Sequence, residues 1–439
     1  MNRTKKRAPL LLALTAAIGL TGCGVSADSS NGPEQGQLDP ANPTKITFYT
    51  YSLAAPTMKP GMEMLIKEFN DTVGKEKGVV VEAVADATMQ QYKADISAGK
   101  QVDIVQHPFS TLDSSRLSLG FEAYEDVFPA EELEAHFEGI SPNALELGKI
   151  DGKMYGLAFT FSTPIVFLNG KLFEEAGLDP ANPPKTWEEI KAASLKIKEA
   201  TGKDGFGLAP NNGWTTESLI LSNGAEVLAE DRKSVKFASP EGIEAIEMWK
   251  DLYLKGASAP GTDSEVSEQF MAGNLGMVVT STALYSGFKK ASEAGGWEVY
   301  GTGLPQFGDK PSIPVNSGSM LAVRPDSPSK NAAIWEFIKF VTGDRGYTII
   351  TSQIGYLPLR TGLADDPNGL KDFIDQNPLY RINLEQLSRI KPVAIWPGEY
   401  ATEIVTAFND AIAKSVMTPD GDVSAILTQA QQDINAMIQ

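Results

Sequence analysis

The chain has 439 residues, of which 42% are hydrophobic and 21% are charged, and its formal net charge is −18. Nucleic-acid binding needs a basic surface, so this acidic composition argues against a nucleic-acid partner. A chain of this length exceeds what one hydrophobic core usually serves, and we therefore expect two domains.

The first 22 residues have the pattern of a secretory signal peptide. Four basic residues precede the apolar run 10–20, which is shorter than the roughly 20 residues that span a bilayer. The run closes with Leu-Thr-Gly-Cys at 20–23, which resembles the bacterial lipobox. That resemblance implies a lipid on Cys23 and a location at the extracytoplasmic face of the bacterial cell membrane. The alternative is an ordinary signal peptide followed by an unrelated cysteine.

Removal of residues 1–22 would take away four basic and no acidic residues and lower the net charge to −22. Cys23 is the only cysteine, so a lipid on it excludes a disulfide and thiol catalysis. Residues 23–44 show no apolar periodicity, and we interpret them as a lipidated flexible tether.

Strand and helix patterns alternate after the tether. Strands are predicted at 45–51, 79–84 and 102–105, and helices at 62–69 and 89–98, the second closed by Gly99. This β-α-β-α-β order is typical of an α/β fold with a mostly parallel sheet flanked by helices.

Three later helices have recognisable starts or ends. Thr186 and Glu189 have the spacing of a capping box, and Ser239-Pro240 combines a cap with proline in the first turn. Residues 331–341 repeat a helical pattern that ends before Gly343. These signals extend the α/β pattern into the second half of the chain.

Motifs for catalysis and cofactor binding are missing from the sequence. His107 and His136 lack metal-ligand spacing, and neither a phosphate-binding loop nor a nucleophile elbow is present. Paired carboxylates such as Glu131-Glu132 fit a solvated helix surface. We expect no metal, no cofactor and no enzyme, although a secreted carbohydrate-active enzyme with distant carboxylates stays an alternative.

One ordered set of residues resembles a known family. It runs from 152–169 (GKMYGLAFTFSTPIVFLN) through 171–178 (KLFEEAGL) to 183–187 (PPKTW). This set is similar to the family 1 extracellular solute-binding proteins of ABC importers, which include the maltose-binding and glycerol-3-phosphate-binding proteins. Further matches follow in the family's order at 268–277, 301–305, 317–319, 332–340 and 355–358, with Gly276 where alanine is usual.

The resemblance covers residues 45–435 and implies a two-lobed, periplasmic-binding-protein-like fold with a cleft between the lobes. We expect lobe 1 at 45–160 and 315–342, and lobe 2 at 161–314 and 343–439. The implied protein is a monomer that closes on a small-molecule ligand and delivers it to the transmembrane permease subunits of an ABC importer. A surface adhesin without a small ligand is a further alternative.

The glycerol-phosphate branch of the family gives the closest residue-by-residue match for a ligand site. That match implies a carboxylate at Asp86, a crossover serine at Ser162, aromatic residues at Trp214 and Tyr356, and a backbone-amide site at Gly318. For Asp86 and Ser162 the alternative is a turn or helix cap, and for the aromatics it is packing between lobes. The full set of predicted ligand-binding residues is Tyr51, Asp86, Ser162, Trp214, Ser281, Thr282, Gly318, Tyr356, Trp396, Glu399 and Tyr400.

One departure from that branch bears on the ligand. The branch has a late arginine that meets phosphate, whereas residues 396–406 (WPGEYATEIVT) contain no basic residue. Trp396 and Tyr400 could stack on a sugar ring, and Glu399 could accept from its hydroxyls. We therefore expect a sugar or oligosaccharide. Glycerol-3-phosphate or a glycerophosphodiester with a cationic head group is the alternative, and amino sugars and polyols stay open.

Overall fold

The computed structural model describes residues 36–259 and 261–438. The predicted signal peptide and Cys23 lie outside these residues. Within the described ranges, none of the helices combines the length and the apolar character needed to cross a bilayer.

Twelve strands occur in the described chain. They are β1 (Thr44–Thr50), β2 (Val79–Ala85), β3 (Ile104–Pro108), β4 (Lys149–Ile150), β5 (Lys153–Met154), β6 (Leu157–Ser162), β7 (Pro164–Asn169), β8 (Phe206–Gly207), β9 (Ser258–Ala259), β10 (Met277–Ser281), β11 (Val299–Thr302) and β12 (Ser317–Val323).

The α-helices pack around these strands. They are α1 (Lys59–Asp71), α2 (Val73–Lys77), α3 (Gln91–Ser97), α4 (Leu112–Leu119), α5 (Tyr124–Val127), α6 (Ala130–Phe137), α7 (Pro142–Leu145), α8 (Gly170–Glu175), α9 (Trp187–Thr201), α10 (Gly213–Ser222), α11 (Pro240–Leu254), α12 (Asp263–Met271), α13 (Tyr285–Gly295), α14 (Pro328–Val341), α15 (Asp344–Ile349), α16 (Lys371–Gln376), α17 (Leu379–Glu385), α18 (Ala401–Met417) and α19 (Val423–Ile438). Short 3-10 turns lie at Tyr51–Leu53, Phe109–Thr111, Thr282–Leu284, Thr361–Ala364 and Gln386–Arg389, and a π-helical turn at Ile350–Ile354.

The first sheet has the strand order β2-β1-β3-β12-β6. Strand β1 pairs in parallel with β2 and β3, while β12 runs antiparallel to β3 and β6. Four strands therefore share one direction, which confirms the predicted α/β fold with a mostly parallel sheet. The strand predicted at 102–105 begins instead at Ile104. The Asp103 carboxylate accepts from the Thr47 N–H at 2.8 Å, and the Asp103 N–H donates to Thr47 Oγ1 at 3.0 Å, so these bonds to side chains replace backbone pairing with β1 at this position.

The second sheet has the order β11-β7-β10-β8-β9 and the same mixed character. Here β7 is the antiparallel strand, and β10, β8 and β9 pair in parallel. Strands β6 and β7 are buried along their whole length, as expected for strands covered on both faces. Only Thr163 separates them, so the chain passes there from the first sheet to the second.

The predicted helix starts are confirmed where the local pattern was strong. Thr186 and Glu189 form both bonds of a capping box at α9, and the Ser239 hydroxyl accepts from the Gly242 N–H at α11. Each bond satisfies a backbone donor that the first helical turn leaves free.

Residues 36–44, the last part of the predicted tether, pack on the folded chain. The Gly36 N–H donates to the Pro328 carbonyl at 2.9 Å, and Leu38 is partly buried against the first core. Thr44 already belongs to β1. An apolar contact and backbone bonds therefore attach residues 36–44 to the folded chain, and the rest of the predicted tether lies outside the described residues.

The proposed lobe boundaries stay a prediction. Helix α15, placed by the sequence with the second lobe, lies beside the first sheet, where Arg345 forms an ion pair with Glu68 of α1. Ile354, which ends the π-helical turn after α15, also lies close to Gly61 of α1. The chain after α14 therefore starts on the side of the first sheet.

Candidate functional site

A cleft of about 450 Å³ lies at the carboxyl ends of strands from both sheets. Tyr51 follows β1, Phe109 follows β3, and Ser281 ends β10. Ligand sites of α/β sheets lie outside the carboxyl ends of their strands, and this cavity has the size of a small-molecule pocket.

The first-sheet side of the cleft presents a tyrosine held by a buried polar network. The Tyr51 hydroxyl lies 3.2 Å from Thr160 Oγ1. Gln106 donates to Thr160 Oγ1 and to Ser319 Oγ, at 3.2 and 2.9 Å. Because Gln106 is buried and both its donors are used, the network fixes Thr160 and with it the position of the Tyr51 hydroxyl.

Gly318 brings the β12 backbone to the cleft wall. Its φ is +104°, and a Cβ at this position would lie 1.9 Å from the Thr160 carbonyl oxygen. A side chain is therefore excluded both by backbone conformation and by space.

The second-sheet side supplies amides, an aromatic ring and a carboxylate. Asn212 Nδ2 donates to Asp263 Oδ1 at 2.9 Å, and the Asp263 N–H donates to Asn211 Oδ1 at 3.1 Å. Trp214, in the first turn of α10, also lines the cleft. These bonds tie the start of α12 to the loop before α10, so the polar groups form one continuous wall.

The C-terminal part of the chain closes the cleft. The Trp396 N–H donates to the Ser110 carbonyl at 3.1 Å, and its ring packs against Phe408 with centroids 5.5 Å apart. Tyr356 is hydrogen-bonded to Tyr51, and burial raises the pKa of the Tyr356 hydroxyl well above its usual value. Tyr356 therefore stays protonated and can both donate and accept.

Among the described residues that line the cleft, none is Lys, Arg or His. Its titratable acids are Glu217 and Asp263. Burial raises the pKa of Glu217 to about 8, although the Ala394 N–H donates to its carboxyl at 2.9 Å. Burial also raises the pKa of Asp263. The lining is thus neutral to weakly negative at pH 7, and an anion would find no countercharge.

Six of the eleven predicted ligand residues come together in this cleft. They are Tyr51, Trp214, Ser281, Gly318, Tyr356 and Trp396. Ser281 uses its hydroxyl inside the protein, donating to Ser162 Oγ at 2.8 Å and accepting from the Ala283 N–H.

The other predicted residues lie outside the lining. Asp86 is buried and caps α3, accepting from the N–H groups of Gln90 and Tyr92 at 3.1 and 2.9 Å. Ser162 and Thr282 are fully buried and bonded to Ser281 and Asn383. For Asp86 and Ser162, the structure thus favours the local structural role over ligand contact.

Glu399 and Tyr400 are exposed at the start of α18, and Tyr400 is 56% accessible. Neither lines the cleft at this lobe separation. The chain turns at Gly398, whose φ is +78°, and the next residue that lines the cleft is Val405 of α18.

Several polar lining residues were missed by the sequence analysis, among them Asn316, Asn409, Glu217 and Asp263. They come from α10, α12, α18 and the segment before β12. Asn316 immediately precedes the family match at 317–319 (SGS), and this position was the available signal. The others had no local pattern that separates them from surface residues.

A sequence profile described as bacterial extracellular solute-binding protein matches residues 64–381, more than half of the chain. A binding protein of Brucella abortus (strain 2308) is 27% identical over 292 residues, which are 62% of this chain and 66% of the relative. The sn-glycerol-3-phosphate-binding periplasmic protein UgpB of Escherichia coli O1:K1 / APEC is 24% identical over 259 residues, 56% of this chain and 58% of UgpB. The chain therefore spans less than two thirds of either relative.

Solved structures are similar over most of the chain. The cyclic alpha-maltosyl-1,6-maltose binding protein from Arthrobacter globiformis has a TM-score of 0.76 at 21% identity, covering 90% of this chain and 99% of its own. UgpB from Mycobacterium tuberculosis, in complex with glycerophosphocholine, has a TM-score of 0.76 at 20% identity, covering 90% and 98%. At these identities the likeness shows a shared fold.

Proposed function

This chain belongs to the bacterial extracellular solute-binding proteins, and we propose that it captures a neutral sugar or oligosaccharide for an ABC importer. The family and the two-lobed fold predicted from the sequence are confirmed. In the proposed cycle, the lobes close on the solute and the closed form delivers it to the permease.

The observation that carries the proposal is the chemistry of the cleft lining. It combines aromatic faces (Tyr51, Trp214, Tyr356) with amide groups and contains no basic side chain among its described residues. Sugars offer apolar C–H faces for stacking and hydroxyls that both donate and accept. A phosphate would need a cation or a row of donors that this lining does not provide.

The number of contacts available is sufficient for useful affinity. A micromolar dissociation constant corresponds to about −8 kcal/mol, and each hydrogen bond contributes about 0.5–1.5 kcal/mol net. Several amide contacts and one or two stacked rings therefore reach this range.

A glycerophosphodiester with a cationic head group is the second candidate. Asp263 beside the aromatic residues of the cleft could hold a cation, and the similar UgpB structure contains glycerophosphocholine. The phosphate of such a solute would still lack a basic partner among the described lining residues. We therefore rank it below a neutral sugar.

We further propose that a lipid on Cys23 holds the protein at the extracytoplasmic face of the membrane, near its importer. Replacing Cys23 by alanine is then expected to release the protein into the medium without changing solute affinity, because the cleft lies in the folded part of the chain. Cell fractionation and calorimetry check the two halves of this prediction. A Cys23→Ala protein that stays in the membrane would contradict the anchor.

A thermal-shift and calorimetry screen of the residue 24–439 fragment tests the proposed function. The probes are glucose, trehalose, maltose, maltotetraose, glycerol-3-phosphate and glycerophosphocholine. A bound solute at one hundred times its Kd should stabilise the protein by about 2.7 kcal/mol. Stabilisation by a saccharide without turnover supports the proposal. Stabilisation by the phosphorylated compounds alone contradicts it, and hydrolysis of a saccharide would indicate an enzyme.

A further inference from the structure

Asn316 presents an unsatisfied hydrogen-bond donor in the wall of the cleft. The residue is fully buried, and its Oδ1 accepts from the Val393 N–H at 2.8 Å. That backbone donor fixes which end of the amide is oxygen. Asn316 Nδ2 does not take part in that bond, and it has no hydrogen-bond partner among the described residues.

Asn409, on α18, presents an unsatisfied hydrogen-bond acceptor. Its Nδ2 donates to the Asn211 carbonyl at 3.3 Å, which again fixes the orientation of the amide. Asn409 Oδ1 has no hydrogen-bond partner in the described part of the chain. The same cleft is thus lined by one free donor and one free acceptor, each held in place by a backbone group.

A buried polar group without a partner costs about 1–3 kcal/mol, so a solute that satisfies both atoms gains this free energy. A hydroxyl both donates and accepts, whereas phosphate oxygens only accept and a quaternary ammonium does neither. We propose that Asn316 and Asn409 select a solute rich in hydroxyls, with Asn316 donating to one of its oxygens and Asn409 accepting from one of its hydroxyls. This inference rests on the proposed function and names the groups that give it specificity.

Both amide atoms are covered by protein in this structure. The solute therefore reaches them when lobe movement uncovers the atoms. Val393 and Asn211, whose backbones hold the two amides, also belong to the cleft lining.

The test uses the saccharide that binds wild type most tightly among glucose, trehalose, maltose and maltotetraose, together with its monodeoxy derivatives. Asn316→Leu and Asn409→Leu are each expected to weaken calorimetric affinity for the parent sugar about ten-fold or more. One monodeoxy derivative should bind wild type about ten-fold more weakly than the parent does. The variant of the asparagine that pairs with the deleted hydroxyl should bind the derivative and the parent sugar with affinities that differ by no more than about two-fold. Deleting the hydroxyl and replacing the asparagine remove the same hydrogen bond.

Asn70→Leu is the matched control. Asn70 also bonds a backbone through both amide atoms, at Val81, but it lies outside the cleft. It should lose stability and keep wild-type affinity. If Asn316→Leu does not fold, Asn316→Ala carries the same comparison.

The outcomes separate the proposed sugar-binding function from the proposed role of Asn316 and Asn409. If wild type binds a saccharide but both asparagine variants bind it with unchanged affinity, the inference is wrong and the proposed function stands. If no saccharide binds wild type, both are overturned. The inference would also be overturned if wild type and both variants lost the same amount of affinity for every deoxy derivative. No single hydroxyl would then pair with either asparagine.

Discussion

Glu217 is a buried carboxyl in the cleft lining that makes the stability of the protein depend on pH. Burial raises its pKa to about 8 in the folded state, against 4.5 ordinarily. Between these values the folded protein holds a proton that the unfolded chain releases, so stability falls as pH rises from about 4.5 to about 8. Below this window both states are protonated, and above it no further loss occurs.

Glu217→Gln should remove this dependence, because the amide stays neutral and can still accept from the Ala394 N–H. We expect the variant to match wild type near pH 4 and to exceed its unfolding free energy by a few kcal/mol near pH 9. Urea unfolding across this range measures the difference, with the exposed Glu403→Gln as control. Parallel curves for wild type and variant would mean that Glu217 is charged when folded, stabilised by Arg232 or Lys391 in the adjoining cavity.

Gly318 should tolerate no side chain. A methyl group would meet the Thr160 carbonyl at 1.9 Å in a backbone conformation with φ of +104°. We expect Gly318→Ala to lower stability by about 2 kcal/mol or more and to weaken solute binding, because β12 must shift. Gly287→Ala on α13, where nothing lies within 4 Å, should instead be neutral or stabilising. Equal behaviour of the two variants would contradict the packing argument.

Asp86, which the sequence analysis predicted as a ligand residue, is hydrogen-bonded to the start of helix α3 in the structure. Both carboxylate oxygens of Asp86 accept backbone N–H groups at the start of this helix. Asp86→Ala should therefore cost about 1 kcal/mol of stability and leave sugar affinity unchanged. Asp86→Asn, which retains one acceptor, should lie between wild type and alanine. A loss of affinity that exceeds the loss of stability would restore the ligand role.

The sequence predicted elements whose signals are local. The capping box at Thr186 and Glu189 involves neighbours along the chain, and both of its bonds occur. The start of β3 was placed early because Asp103 bonds Thr47, 56 positions away, through its side chain. No periodic pattern reports such a contact.

Most of the cleft residues that could be predicted came from the family resemblance, whereas Trp396 was predicted from its ability to stack on a sugar ring. Trp214, Gly318 and Tyr356 came from matched motifs, and they line the cavity. Asn316 and Asn409 can be recognised as candidate ligand residues only from the structure. There the Val393 N–H donates to Asn316 Oδ1, the Asn211 carbonyl accepts from Asn409 Nδ2, and the other atom of each amide is left free. These partners lie 77 and 198 positions away, so the free atoms follow from tertiary packing.

The whole molecule is connected by more than the strand crossover at Thr163. The segment 393–398 bonds both sides of the cleft, since Val393 and Ala394 donate to Asn316 and Glu217. Further along, the Gly398 N–H donates to Asp113 on α4, near the first sheet. This segment therefore couples the relative position of the two sheets to the walls of the cleft.

Asp113 is the charged centre of that connection. Its carboxylate accepts from Arg232 and from Arg116, both at 2.6 Å, and its side chain is only 5% exposed. Arg232 lies in the loop between α10 and α11, beside the second sheet, so this ion pair bridges the two halves. Arg232 also has a φ of +57°, an uncommon conformation that the surrounding bonds must hold.

Asp113→Asn should loosen the bridge while preserving shape, because an amide offers one acceptor in place of two charged oxygens. Both arginines are partly exposed, so the loss should be about 2 kcal/mol, less than for a fully buried pair. We also expect weaker sugar binding and a larger radius of gyration by small-angle scattering. Lys153→Met, which breaks the exposed pair with Asp126, should change stability by less than about 1 kcal/mol. If Asp113→Asn lost stability but kept affinity and dimensions, the ion pair would support local packing and have no part in holding the lobes together.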